Sequence, residues 1–163
     1  MSLMTALERV YQLNELIAHG SQTIQERGSR PDELPSIDGI TTHPVSHQQR
    51  SFYEFACGWT HAAVELLWSR PADLPALVAS EPVLSIVEQD VEENFFCEGE
   101  RVPCTRNMVL FALDDPHQPY QRAYFDFGTR TDGEPGVIEI GDGVRTHDDL
   151  AGYVGFWARV MAA

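Results

Sequence analysis

The sequence predicts an α+β fold: a twisted antiparallel sheet of about four to six strands with helices packed at its N- and C-terminal ends. Three observations carry this. Apolar residues recur at helical spacing near both termini. Between Met108 and Gly143 short apolar or alternating segments are divided by turns. The regular strand–helix alternation of a parallel sheet is missing. The 163 residues fit a single domain, 1–163, with 1–45 reading as a helix plus a long loop and 46–161 as the core. A chain of this length buries roughly 70% of its unfolded surface, so neither a disulfide nor a metal is needed for folding.

Leu3, Leu7, Val10, Leu13 and Ile17 share one face of a helix over 3–18, with Glu8, Arg9, Gln12 and Glu15 opposite. Gly20 interrupts it, and Ile24 is compatible with an extension toward Arg27. Gly28 to Pro44 is rich in turn formers and reads as a surface loop. Ser46-x-x-Gln49 spells a capping box ahead of Phe52, Phe55 and Ala56, with Gly58 as the C-cap. His61 to Trp68 fits a continued helix or a strand, and the alternation of Ala62, Val64 and Leu66 favours the strand. Pro71 and Pro75 mark a helical turn or two, whereas 83–96 suits helix or strand alike.

Met108 to Leu113 is an apolar run stopped by Asp114-Asp115-Pro116, the pattern of a buried strand. Ala123 to Gly128 and Gly136 to Gly143 alternate, with 129–136 as a turn between them, and together they form an antiparallel meander. Thr146 signals a closing helix, with Asp148 and Asp149 in its first turn favouring the positive end of the dipole. Its apolar face is Leu150, Val154, Trp157, Val160 and Met161.

Charge excludes more than any motif includes. Twenty-five acids against eleven bases give a net −14, and every base is arginine. Without lysine there is no P-loop lysine, kinase phosphate-pairing lysine, Schiff-base amine or Ser–Lys pair. So negative a chain lacks the clustered positive charge that holds a phosphate backbone, which argues against nucleic acid as a partner. Three cysteines are an odd number, the ordinary pattern of a reducing compartment, although Cys97 and Cys104 are spaced to close a small loop. The N-terminus lacks a basic segment followed by an apolar run, and no stretch approaches eighteen apolar residues. A soluble, cytoplasmic protein is expected, monomeric or homodimeric, without a membrane contact or a cofactor.

Few residues suggest covalent chemistry. His43 and His47 are four apart, but Pro44 between them and the lack of a third ligand favour two surface histidines over a metal site. Asp126-Phe127-Gly128 spells the kinase magnesium triplet without the rest of the kinase set, and neither glycine turn supplies a calcium loop. Cys57 lies close in sequence to His61, yet a buried structural cysteine is the commoner reading. A small hydrolase or small-molecule-binding domain, with Asp126, His61 or Cys57 in a pocket between sheet and helices, is the second hypothesis. The first rests on the acidic segment: seven acids and no base from Glu81 to Glu100. Here Glu88, Asp90, Glu92, Glu93, Glu98 and Glu100, with Asp114 and Asp115 nearby, are candidates to meet a basic protein partner. Phe95 and Phe96 offer an apolar anchor or belong to the core. The plain alternative is a solvated acidic face that aids solubility.

The order Phe52-Tyr53-x-Phe55, Gly58-Trp59, Leu66-Leu67-Trp68, an apolar strand ending in Asp114-Asp115, Tyr124-Phe125-Asp126, the turn Gly133 to Gly136, Val137-Ile138-Glu139-Ile140 and an aromatic-rich final helix resembles the SUKH superfamily. The resemblance covers about residues 46–161. Leu34-Pro35 lies further upstream than is usual there, and Cys57-Gly58 stands where Asn-Gly often ends the Phe-Tyr helix. The resemblance implies the same α+β fold and a binding function: bacterial members are largely immunity proteins that neutralise secreted nuclease or deaminase toxins. No catalytic residue carries over from it. A nuclease must be basic to hold phosphates, so an inhibitor of one gains by being acidic.

Overall fold

In the computed structural model, which describes residues 1–17, 22–95 and 104–163, both faces of one large sheet are covered by helices. The elements run α1 (Leu3–Ile17), β1 (Thr23–Glu26), β2 (Glu33–Pro35), β3 (Thr42–Pro44), α2 (His47–Phe55), β4 (Cys57–Thr60) and β5 (Leu67–Trp68). A 3₁₀ turn (Pro71–Asp73) leads into α3 (Leu74–Ala79) and α4 (Val83–Glu93). Then follow β6 (Met108–Leu113), β7 (Arg122–Thr131), β8 (Glu134–Ile140), β9 (Val144–His147) and α5 (Leu150–Ala162). Seven strands pair in the order β1-β4-β5-β6-β7-β8-β9, each contact antiparallel, and β2 and β3 form a separate hairpin. The α+β class stands, and the sheet is larger than the four to six strands expected.

Helices on both sides explain why β6 reads as unbroken apolar sequence: all six of its residues are buried. Val109 and Phe111 pack with α1, α2 and α5, while Met108, Leu110 and Leu113 pack with Val83 and Val87 of α4. A bulge between Leu110 and Ala112 puts Ala112 on the same side as Phe111. Phe111 stacks on Phe125 with ring centres 3.9 Å apart, and Trp59, Trp68 and Phe52 continue the aromatic layer under α2.

Several local expectations are corrected. The helix does not extend to Arg27, because Thr23–Glu26 pairs with β4 at the sheet edge. The presumed loop from Gly28 to Pro44 contains the β2–β3 hairpin, whose strands are three residues each and too short to pattern. The Ser46–Gln49 capping box forms in full, but α2 ends at Ala56 in an extended conformation. Gly58 is therefore not its cap. It lies within β4 at φ +72°, where a Cβ would stand 2.8 Å from both the Arg70 side chain and Gln25.

The alternation from His61 to Leu66 does not make a strand. The segment is a tight turn with His61 at φ 51° and Val64 at φ 60°, and only Leu67–Trp68 joins the sheet. The turn expected over 129–136 contracts to Asp132-Gly133, at φ 53° and 80°, which closes a two-residue hairpin of the kind that suits strand twist. Thr146 belongs to β9, and Asp149 is the real N-cap of α5, its carboxylate accepting the Gly152 N–H at 2.9 Å. Val160 faces solvent, and Tyr153 and Ala158 take its place in the core. The ambiguous 83–96 segment is helical through Glu93.

Val64 is β-branched and 47% exposed in a left-handed conformation that costs an L-residue roughly 1–2 kcal/mol. Val64→Gly removes that strain and little burial, against a larger entropy loss on folding. The expected outcome is a gain of about 0.5–1 kcal/mol in urea denaturation and a small rise in Tm; a loss would show that the Val64 side chain contributes packing that outweighs the strain.

Candidate functional site

The acidic segment divides into groups with different roles. On α4, Val83, Val87 and Asp90 fall at i, i+4 and i+7, and all three point into the protein. Asp90 has no exposed surface. Its Oδ2 accepts from Arg122 Nε at 2.8 Å and from the Tyr124 hydroxyl at 2.6 Å, and its Oδ1 takes the second arm of the Arg122 fork. Arg122 Nη1 donates to the Tyr120 carbonyl at 2.7 Å. Burial draws the Arg122 pKa down, but the Asp90 hydrogen bonds and charge raise it by more. The Tyr124 hydroxyl is pushed well above its ordinary range by burial and then by the Asp90 charge.

Asp90 is thus corrected from a partner-binding candidate to an internal strut. Counting charges treats every carboxylate as exposed, whereas its helical phase with Val83 and Val87 was the available signal. Asp114 is also occupied. Its two oxygens accept the backbone N–H groups of Asp115, Tyr120 and Gln121 at 2.8–3.0 Å, which closes the β6–β7 loop. Asp115 is exposed and accepts the His117 N–H at 2.8 Å.

Glu88, Glu92 and Glu93 remain. All three are exposed, and among the described residues none forms an ion pair. Gln89 donates to Glu93 at 3.2 Å, and Ser85 donates to Glu81 at 2.7 Å one turn before Glu88. Glu98, Glu100, Phe96 and Cys97 lie outside the described residues. Phe95 is core, buried and edge-on to Tyr124 at 4.7 Å, and is not a surface anchor.

Cys57 and Asp126, two of the three residues expected for a hydrolase, do not converge, and His61 stands in the turn that follows β4. Cys57 is on β4 and Asp126 on β7, three strand spacings or about 14 Å apart in the sheet. Burial raises the Cys57 pKa, the reverse of what activates a thiol. Asp126 accepts the Gly128 N–H at 2.9 Å. His43 stacks on Phe127 at 4.2 Å and meets the Arg106 carbonyl, while His47 opens α2. Among the described residues no three His, Cys, Asp or Glu side chains gather as a metal would require. Cys104 is disulfide-bonded, so the odd cysteine count no longer argues for a reducing compartment. No helix of the described residues is long and apolar enough to cross a membrane.

A pocket of about 230 Å³ that sequence reasoning missed lies between α5 and the β8–β9 hairpin, walled by Leu66, Gln121, Asp142, Tyr153 and Trp157. At its floor Glu139 accepts from Trp157 Nε1 at 2.8 Å, meets His147 Nε2 at 2.6 Å and receives Arg145 at 3.3 Å. The Tyr153 hydroxyl accepts from Trp68 Nε1 at 3.1 Å, and its pKa is raised by burial and then by Glu139. The signal for this group was the cross-strand register, which sets Glu139 opposite Arg145. Its central charge is already matched from three sides, so it reads as a tie between sheet and α5. No family model matches this chain, and no curated protein or solved structure does either.

Asp90→Ala leaves the Arg122 guanidinium buried without a counter-charge, and is expected to cost about 3–5 kcal/mol in urea denaturation. Glu88→Ala and Glu92→Ala are each expected to stay within about 0.5 kcal/mol of the parent. An equal loss at all three sites would contradict the division between buried strut and free surface.

Tyr53, Tyr124 and Tyr153 all have pKa values raised by burial in the folded state. The unfolded chain therefore releases these protons first, so these tyrosines add no pH dependence below about pH 10 and lower the stability as pH rises beyond it. Phenolate absorbance from these three groups should appear together with loss of the folded circular dichroism; ionisation well before unfolding would contradict their burial.

Proposed function

We propose that this chain is a non-enzymatic binding protein that neutralises a basic partner, in the manner of a SUKH-type immunity protein acting on a secreted toxin such as a nuclease. The observation that supports this best is the exposed side of α4: Glu88, Glu92 and Glu93 face solvent with no cation beside them among the described residues. The chain has no lysine, and several of its eleven arginines are engaged elsewhere. Arg27 lies over Tyr11 and Phe55, Arg145 over Phe156, and Arg70 bridges Glu26 and Asp73. An uncompensated field of one sign raises the rate of encounter with an opposite charge by about one to three orders of magnitude and repels like-charged competitors.

The second reading, a small-molecule site or a small hydrolase, is favoured by the pocket over Glu139. Against it, a ligand that engaged Glu139 would have to share a carboxylate that already holds the Trp157, His147 and Arg145 contacts.

The test is co-expression with the product of the adjoining reading frame. Toxicity of that product should be relieved by this chain. The purified pair should bind with an affinity that falls steeply between low and physiological salt. A salt-insensitive complex, or a product that is acidic and unaffected, would overturn the proposal. Conversion of a metabolite that stops on Glu139→Gln would establish the second reading.

A further inference from the structure

We infer that the seat for the basic partner is the groove between α4, α3 and the β2–β3 hairpin, and that its occupant is an amphipathic helix with arginines or lysines flanking an apolar stripe. This rests on the reading that the partner is basic and adds where and in what form it binds. Two adjoining hollows, about 600 and 240 Å³, share Ile37, Val78 and Leu84 as common walls. The larger continues along α4 past Val87 and Val91, and the smaller runs to the hairpin tip, where Ile40 is 89% exposed. Glu88 and Glu92 stand one helical turn apart on the larger hollow, and among the described residues no lysine, arginine or histidine lines either one.

An apolar floor beside carboxylates alone fits a partner that carries both apolar side chains and positive charge. Polycation charge by itself would leave the Ile37, Leu84 and Val91 surface unmatched. A purely apolar segment would leave the carboxylates desolvated without a counter-ion. The eleven residues of α4 extend about 16 Å, which matches roughly three turns of a second helix laid alongside. A second copy of this chain fits poorly, because a two-fold contact would set Glu88 and Glu92 against their own kind.

The hairpin wall is held in place before any partner arrives. The Ser36 hydroxyl donates to the Thr105 carbonyl at 2.6 Å, and the Ile37 N–H donates to the Met108 carbonyl at 2.9 Å. Asp38 accepts the Ile40 and Thr41 N–H groups at 2.8 and 2.7 Å, which fixes the tip that carries Ile40.

The test uses the full chain and a fluorescein-labelled synthetic peptide of about fourteen residues, with leucines at i, i+3, i+4 and i+7 and arginines on the flanks. A scrambled peptide of the same composition is the control. Anisotropy should show the scrambled peptide binding about tenfold more weakly. Amide shifts caused by the helical peptide should centre on Ile37, Ile40, Leu84 and Val91. Glu88→Gln with Glu92→Gln, and separately Ile40→Ser, should each weaken it roughly three- to tenfold. These positions are exposed, so unchanged thermal unfolding of the variants separates binding from folding. Equal binding of both peptides, shifts centred elsewhere, no binding of either, or a concentration-dependent dimer that buries the groove would each overturn the assignment. The proposal of a basic partner would survive any of these if the co-expressed product were still neutralised, and would fall if it were not.

Discussion

A carboxylate removed from water loses several kcal/mol of hydration unless a cation and donors replace it, and Asp90 has no exposed surface at all. Arg122 and Tyr124, neighbours on β7, supply the replacement with a forked pair and a hydroxyl. That match fixes the rotation of α4 about its own axis. With Asp90 turned toward β7, Val83 and Val87 must also face the sheet, and Glu88 and Glu92 must face away. An apolar residue at position 90 would pack in several rotations, whereas a buried ion pair accepts one. The interior charge thus sets the exterior charge pattern, and the acidic face is a consequence of how the helix is anchored.

The placement of arginine completes this division. Guanidinium groups are planar and weakly hydrated, so they can lie on aromatic rings in a way the ammonium of lysine does less well. Arg27 sits over Tyr11 and Phe55, and Arg145 over Phe156, all within the layer of α1, α2 and α5. The acids of α4 lie in the opposite layer. Two kinds of carboxylate follow. Glu139, beneath α5, is surrounded by Trp157, His147 and Arg145 and holds layers together. Glu88 and Glu92, paired with no arginine among the described residues, keep their charge exposed.

What could be read from the residues alone follows the same physics. The α1 stripe, the Ser46–Gln49 capping box and the β6 run were readable because each is determined by its own few residues. The strands β1, β2, β3, β5 and β9 span two to four residues and contain few apolar positions; they exist because a neighbouring strand supplies the hydrogen bonds. Val64 gave no warning of its left-handed turn, since a β-branched residue rarely adopts it, and His61, of a type enriched there, is too weak a signal alone to outweigh the alternation around it. At the candidate site, the exposed Glu88, Glu92 and Glu93 were visible as acids. The role of Asp90 depended on Arg122, 32 positions away, which no local pattern connects to it. The groove was invisible for a similar reason, being formed where a hairpin with no sequence signature meets α3 and α4.

That groove also bears on how much of a contact's energy can appear as affinity. Binding loses free energy to ordering of loops and side chains, commonly about 0.5–1.5 kcal/mol for each side chain immobilised. Here the wall is already ordered: Ser36 and Ile37 bind the backbone just before and at the start of β6, and Asp38 closes the tip with backbone and Thr41 side-chain hydrogen bonds. The opposite wall is fixed by the Asp90–Arg122 pair. Ile40 is nevertheless kept almost fully in water by this arrangement, an exposure that no internal packing offsets. A rigid apolar tip held beside rigid, unmatched carboxylates costs the free protein a little solvation and lowers the ordering loss on association. The same two anchors that make the fold specific therefore also fix both walls of the proposed seat in the free protein.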